Sequence, residues 1–279
     1  MSRVPLMADR ARVFADHEYG VSHQVLLMGA GADLIAERVG ASRADCDAVA
    51  YLSHRRALRA QHEGRFTSVV PIKTPSGSVS LDECIRPSLT AERLAAMPPA
   101  FLTLGAAGSD AVQLSQYPGL TKITHVHTAG NSPAMCDAAA VLLVGSKMLA
   151  SDQGLTPKVR IVDSVTCCGE PLEVVSGCVA ATKAILSRNK LSPSDVDVFE
   201  IHEAFAATIV KLQRELEIDS ARLNINGGCI ALGHPMGATG AIMAGTAIDE
   251  LMRCDGSIGI IAASGAAGSG SALLVERCY

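Results

Sequence analysis

Residues 196–217 read VDVFEIHEAFAATIVKLQRELE. Val196 to Ile201, apolar except for Asp197 and Glu200, reads as a strand. His202 follows at once, and Glu203-Ala204-Phe205-Ala206 opens a helix expected to end near Glu217. A strand passing through a tight turn into a helix is the building unit of a layered α/β domain. Working outward, Val159–Val165 reads as a second strand and Ser176–Asn189 as a helix. Ser192-Pro193-Ser194-Asp195 is a helix-start signal, with Ser as cap and Pro in the first turn. Leu223–Ile225 reads as a short strand and Gly237–Met252 as a helix of small residues. The twenty uncharged residues Gly256–Val275 are long enough to cross a bilayer. Nine of them are Gly or Ser, which disfavours one helix, so two buried strands around a glycine-rich turn are expected.

Upstream, to about Thr124, charged helices mix with irregular segments. Ser42 with Asp45 is a capping-box start for a helix carrying Cys46, Val49, Ala50, Leu52, Ala57 and Leu58 up to Gly64. Residues 71–90 are rich in turns, and Thr90 is placed to cap a short helix running to Met97 before Pro98-Pro99. This part reads as a surface or lid domain. From Val126 the character changes, and residues 137–145 are almost wholly apolar.

Composition narrows the function. The chain has 279 residues, 48% hydrophobic and 19% charged, enough to bury a core in roughly two domains of about 150 residues. Lys plus Arg number 24 against 28 Asp plus Glu, a net charge of -4, and aromatics make up 3% with no Trp. A nucleic-acid partner is therefore not expected, because neither a basic footprint nor stacking platforms are present. Nine cysteines, an odd number with no C-x-x-C pair, argue against a disulfide scaffold or structural zinc and for free thiols in a reducing, cytoplasmic setting. Arg3, Asp9, Arg10 and Arg12 interrupt any apolar leader, so no signal peptide is expected, and no transmembrane segment either.

Three loops, each after an expected strand, can carry chemistry, because α/β ligand sites lie at strand ends. The first is His202–Phe205. The second is Asn224–Gly240, where Gly233-His234-Pro235 precedes a helix; His is the general base suited to neutral pH, and a helix start suits a developing negative charge. The third is Ala263–Gly270, with Ser264 as a nucleophile or hydrogen-bond donor. No dinucleotide fingerprint, Walker loop or G-x-S-x-G elbow occurs. His125 and His127 have an H-x-H spacing without accompanying carboxylate or Cys motifs, so they read as structural and no metal ligand is assigned. The adjacent Cys167 and Cys168 read as buried thiols.

Taken in order, these loops resemble the thiolase family. His-Glu-Ala-Phe at 202–205 resembles its (Asn/His)-Glu-Ala-Phe motif. Asn226-Gly227-Gly228 through Gly233-His234-Pro235 and Gly237-Ala238-Thr239-Gly240 resembles its Asn-Gly-Gly, Gly-His-Pro and Gly segment. Ser264–Glu276 resembles its C-terminal glycine loop and last strand. Thr128–Ser132 with Asp137–Ala140, and Asp82-Glu83, Arg86-Pro87 and Pro99-Ala100-Phe101, also match. The His at 202 is similar to the trifunctional-enzyme β-subunit type.

The resemblance implies an α/β fold with layered αβαβα architecture, here the C-terminal half plus the inserted loop domain. It divides the chain into a loop, CoA-binding domain (1–125), a strand–helix remnant of the N-terminal half (126–150) and a C-terminal domain (155–279). It implies acyl transfer between 3-ketoacyl-CoA and acetyl-CoA, with coenzyme A as co-substrate and no tightly bound cofactor. His234 is implied as the group activating a nucleophilic Cys, and His202 as the oxyanion-side group. Ala129, Ser132, Ala204, Phe205, Gly233, Pro235 and Gly265 are implied as contacts of CoA or substrate.

Two departures accompany these matches. Met1–Pro5 resembles a segment well inside the family's chain, so the preceding half-domain and its nucleophilic Cys are expected elsewhere. The family's second catalytic Cys falls on Ser264, whose hydroxyl is a far weaker acid than a thiol titrating near ~8.5. Cys229, although near His234 in sequence, is given no role. Residues near 126–150 are expected to lack sheet neighbours, which points to a homo-oligomer or to a heteromer whose partner supplies the missing half. The alternatives are a non-catalytic subunit that binds CoA esters or stabilises a partner, and, more weakly, a serine hydrolase using Ser264 and His234.

Overall fold

The computed structural model describes residues 26–279; the readings made on Met1–Pro5 and on Arg3 to Arg12 lie outside them. Helix α1 (Met28–Val39) is followed by α2 (Arg43–His62), which begins at a full capping box: the Asp45 amide donates to the Ser42 hydroxyl and the Ser42 amide to the Asp45 carboxylate. The buried stripe of α2 is Cys46, Ala50, Ser53, Ala57 and Ala60, at alternating spacings of four and three. Leu52 points outward, since small side chains let α2 approach its neighbours closely. A hairpin of β1 (Ile72–Thr74) and β2 (Gly77–Val79) occupies the turn-rich stretch. The Thr90 hydroxyl caps α3 (Ala91–Ala95), and α4 (Asp110–Gln116) precedes the irregular segment 123–134.

That segment is held without secondary structure. The buried Asp33 carboxylate on α1 accepts from the amides of Val126 and His127, from His127 Nδ1 at 2.7 Å and from His125 Nδ1 at 2.8 Å. With its proton on Nδ1, His127 presents Nε2 as acceptor to the Ala207 amide at 3.3 Å. The two histidines thus converge on one carboxylate, in a structural role.

Residues 137–146 contain no strand, contrary to the strand–helix reading of 126–150. Met135 makes a single bridge to His234, and regular structure resumes only at α5 (Lys147–Asp152). Val141 is 94% and Leu143 81% exposed. An apolar run needs neighbours to satisfy its backbone in a sheet, and the described residues offer none.

The C-terminal part forms one four-stranded sheet in the order β3–β6–β5–β4, from β3 (Val159–Cys168), β4 (Val198–Ile201), β5 (Ile258–Ser264) and β6 (Ser269–Arg277). β4 and β5 are parallel and the other pairs antiparallel. Helices α6 (Gly177–Arg188) and α7 (Ala206–Leu216) cover one face, where Ile185 and Leu212 meet Phe199, Ile201, Ile260 and Leu274. After the short α8 (Cys229–Leu232), α9 (Thr239–Cys254) covers the other face, where Met243, Ala247 and Leu251 meet Val198, Ile261 and Val275. Neighbouring strand residues therefore point to opposite layers, as the pleat requires. α1 and α2 pack on the outer side of α7. Leu223–Ile225 is reduced to one bridge between Leu223 and Phe199. The stretch 256–275 forms β5 and β6, and among the described residues no helix is long and apolar enough to cross a membrane.

The start of α6 lies directly on β6. A Cβ on Gly177 would overlap the Ser269 carbonyl, and one on Gly270 the Gly177 carbonyl, so only glycine permits this approach at either position.

Candidate functional site

The parallel pair β4–β5 delivers His202 to the sheet's end, where its amide donates to the Ala262 carbonyl at 2.8 Å. His234 reaches the same place from the glycine-rich loop. Gly233 has φ 84°, a conformation that favours glycine, and a Cβ there would sit 2.5 Å from Cys136 Sγ and 3.0 Å from Cys84 Sγ. The His234 amide donates to the Ala134 carbonyl at 2.7 Å, and its Nδ1 is 2.8 Å from the Thr239 hydroxyl at the start of α9. The two imidazoles face each other with centroids 4.5 Å apart and planes inclined by 39°.

Burial fixes their charge. His202 is 3% exposed, and desolvation, reinforced by His234, pushes its pKa down to about 3. Burial also lowers that of half-buried His234. Both rings are therefore neutral near pH 7, the form in which imidazole acts as a base or as a neutral donor.

Glu203, next to His202, holds the loop that carries His234. Its buried carboxylate accepts from the Ser53 hydroxyl at 2.7 Å, the Ile230 amide at 3.0 Å and the Asn224 side-chain amide at 3.1 Å. Burial raises its pKa, against those three hydrogen bonds. Asn224 also bonds both the Ile201 amide and carbonyl through its side chain, joining the end of β4 to the loop.

Ser264 stands at the end of β5, and its hydroxyl accepts from the Cys178 amide at 2.9 Å, in the first turn of α6. His234 bonds Thr239 and Ser264 bonds the Cys178 amide, and among the described residues there is no Ser264–His234 hydrogen bond of the kind that a serine nucleophile and its base require. Of the other residues marked by sequence, Gly233 and Pro235 flank His234 and are buried, and Ala129 and Gly265 are exposed. Ser132 carries a buried hydroxyl without a partner. Ala204 and Phe205 are core residues. The Phe205 ring packs edge-on against Phe101 at 5.8 Å and His127 at 5.4 Å.

Cys229 was passed over in the sequence. The turn of α8 folds it back so that a donor atom from each of His202, Cys229 and His234 lies within 4.8 Å of the others. The available signal was the five-residue spacing from Cys229 to His234 across one helical turn and a glycine. Burial, with Glu203 and Glu200 nearby, pushes the Cys229 thiol well above its usual range; burial likewise raises Cys178 to about 11 and Cys136 to about 11.

The model of the thiolase C-terminal domain matches residues 155–277, and that of the thiolase N-terminal domain matches residues 11–115. The chain is 37% identical over 254 residues to the 3-oxoadipyl-CoA/3-oxo-5,6-dehydrosuberyl-CoA thiolase of Escherichia coli (strain K12), covering 88% of this chain and 58% of that protein. It is 33% identical over 289 residues to the 3-ketoacyl-CoA thiolase of Colwellia psychrerythraea, covering 99% and 69%. Among solved structures, human mitochondrial 3-ketoacyl-CoA thiolase superposes with a TM-score of 0.77 at 29% identity, covering 92% of this chain and 61% of that one. The chain thus spans a little over half the length of the Escherichia coli relative. With both family models matched and the layered α/β fold shared, this chain belongs to the thiolase family.

Proposed function

We propose that the chain serves thiolase-type acyl transfer between 3-ketoacyl-CoA and acetyl-CoA, with coenzyme A as co-substrate. The observation that carries this reading is the neutral His202–His234 pair at the end of the parallel strands. His234, oriented by Thr239, takes the proton of the acyl-accepting thiol. His202 directs its N–H to the thioester oxygen as negative charge develops there. The loop at Ala129 and Ser132, the turn at Gly233 and Pro235, the Ala204–Phe205 corner and Gly265 border the path of the CoA arm. In this reading the acyl-accepting thiol is supplied by a partner chain; what supports it is that burial raises the pKa of the thiols of Cys84, Cys136, Cys178 and Cys229, the four that lie beside His202 and the His234 loop. Nine free thiols support a reducing compartment such as the cytoplasm, and the exposed run 141–144 supports an oligomer or heteromer.

A second reading, a subunit that binds CoA esters without turning them over, draws on Ser264. Its hydroxyl caps α6 at Cys178 instead of supplying a second thiol.

The test uses the native assembly isolated from its source. Acetoacetyl-CoA and CoA are added, acetyl-CoA is followed, and the acylated residue is located by mass spectrometry. Acyl transfer is expected with the adduct on a cysteine other than these nine, and with loss of activity in His234→Ala. An adduct on one of the nine overturns the assignment of the thiol. Binding of CoA esters without turnover selects the second reading.

A further inference from the structure

His202, Cys229 and His234 come from the end of β4, the first turn of α8 and the glycine loop, yet a donor atom from each lies within 4.8 Å of the others. The acyl-transfer reading uses both imidazoles and leaves the sulfur without a task. Both ring nitrogens of His202, a side chain nearly removed from solvent, have no hydrogen-bond partner. Buried imidazole nitrogens are normally paired, and the ones here stand beside a second imidazole and a thiol.

We propose that His202, Cys229 and His234 form a binding site for a zinc-class divalent cation, with the fourth coordination position open. Two imidazole nitrogens and one thiolate are a donor set that zinc accepts, at bond lengths of about 2.0–2.3 Å. Tetrahedral geometry at those lengths places the donors roughly 3.3–3.7 Å apart. The cluster needs to contract by about an ångström, and the His202 ring, which no hydrogen bond holds, can rotate to do so. His234 is already prepared. Thr239 engages Nδ1 at 2.8 Å, which leaves Nε2 for the ion and fixes the ring, as outer partners of metal-bound histidines do. Binding breaks the Cys229 S–H bond, forms the sulfur–metal bond and passes one proton to the buffer; no electrons move. The occupied site removes both histidines from acid–base work, so the cation acts as a reversible inhibitor. The site itself does not depend on the acyl-transfer reading, because the same ligands would hold the ion in an inactive chain.

The test is a titration of the metal-free chain with zinc by calorimetry, and with cobalt(II) by absorption as a reporter of thiolate ligation. One ion per chain and a thiolate-to-cobalt charge-transfer band are expected. Cys229→Ser should abolish the band, and Cys229→Ser and His202→Asn should each weaken binding by about tenfold or more. The double variant Cys84→Ser/Cys136→Ser, which alters the thiols beside Gly233, should bind unchanged. If Cys229→Ser does not fold, His202→Asn and the cobalt band of the unaltered chain decide the matter. Absence of binding overturns the proposal, and so does binding that survives both ligand variants or is lost only in the Cys84/Cys136 variant. Since the readout is metal binding, failure of acyl transfer leaves this result intact, and the reverse also holds.

Discussion

The Ser53 hydroxyl on α2 donates to the Glu203 carboxylate at 2.7 Å, joining residues 150 positions apart in the chain. Through Asn224 and the Ile230 amide, the same carboxylate fixes the loop that ends in His234. Glu203→Ala leaves these three donors buried without an acceptor. A loss of about 3–5 kcal/mol is expected by urea unfolding, with a smaller one for Glu203→Gln, which keeps one acceptor oxygen. A loss below about 1 kcal/mol would show that the clasp does not carry the loop.

Acid should weaken the fold through His202. Its pKa is about 3 in the folded chain against 6.5 unperturbed, so between those values the unfolded chain binds a proton that the folded chain refuses. The stability is complete above pH 6.5 and falls as pH drops through the window. Burial raises Glu200 and Glu203, which act in the opposite direction, so the difference between the wild type and His202→Asn isolates the histidine. Between pH 7 and pH 5 the wild type should lose about 2 kcal/mol more than the variant. Equal losses would mean that His202 is protonated as readily folded as unfolded.

Gly177→Ala places a methyl group into the Ser269 carbonyl, and backbone cannot rotate away as a side chain can. A destabilisation of about 3 kcal/mol or more is expected, seen as a lowered unfolding midpoint at constant urea dependence. Gly237→Ala, where an added Cβ meets nothing within 4 Å, is the matched control and should change stability by less than about 1 kcal/mol.

In the native assembly, His234→Ala should lower acyl exchange by about 10²–10⁴-fold, the usual worth of a positioned general base. Ser264→Cys supplies a more acidic group at the end of β5 and should raise the rate by about tenfold or more if the proton step limits turnover. An unchanged rate would place Ser264 outside the chemistry and leave it as the α6 cap.

Much of this was legible in the chain. Val196–Ile201 followed by His202 announces strand, turn and helix because the periodicity changes within a few residues. The Ser42 and Thr90 caps are local chemistry and appear where the sequence puts them. Long-range relations were not legible. The run at 137–145 has the composition of a buried strand, but a strand exists only where a neighbour accepts its hydrogen bonds. The apolar residues of α2 do not by themselves mark its buried face: Leu52 is exposed, and the buried stripe is made of small residues, Ala50, Ser53 and Ala57 among them. The motif singles out His202 and His234, and the spacing of Cys229 from His234 is local, but that Cys229 also comes close to His202 depends on the path of the chain from the end of β4 to α8.

The Asp33 carboxylate has a mechanical consequence. Its bonds to Val126 and His127, and that of His127 to Ala207, link α1 to the start of α7 through a stretch with no ladder of its own. Amide protons at 126 and 127 should exchange with deuterated solvent as slowly as those of the flanking helices. Any displacement of α1 is then delivered to the first turn of α7 as to the far end of a stiff rod. The irregular segment thus couples two helices through buried side-chain hydrogen bonds in place of a backbone ladder.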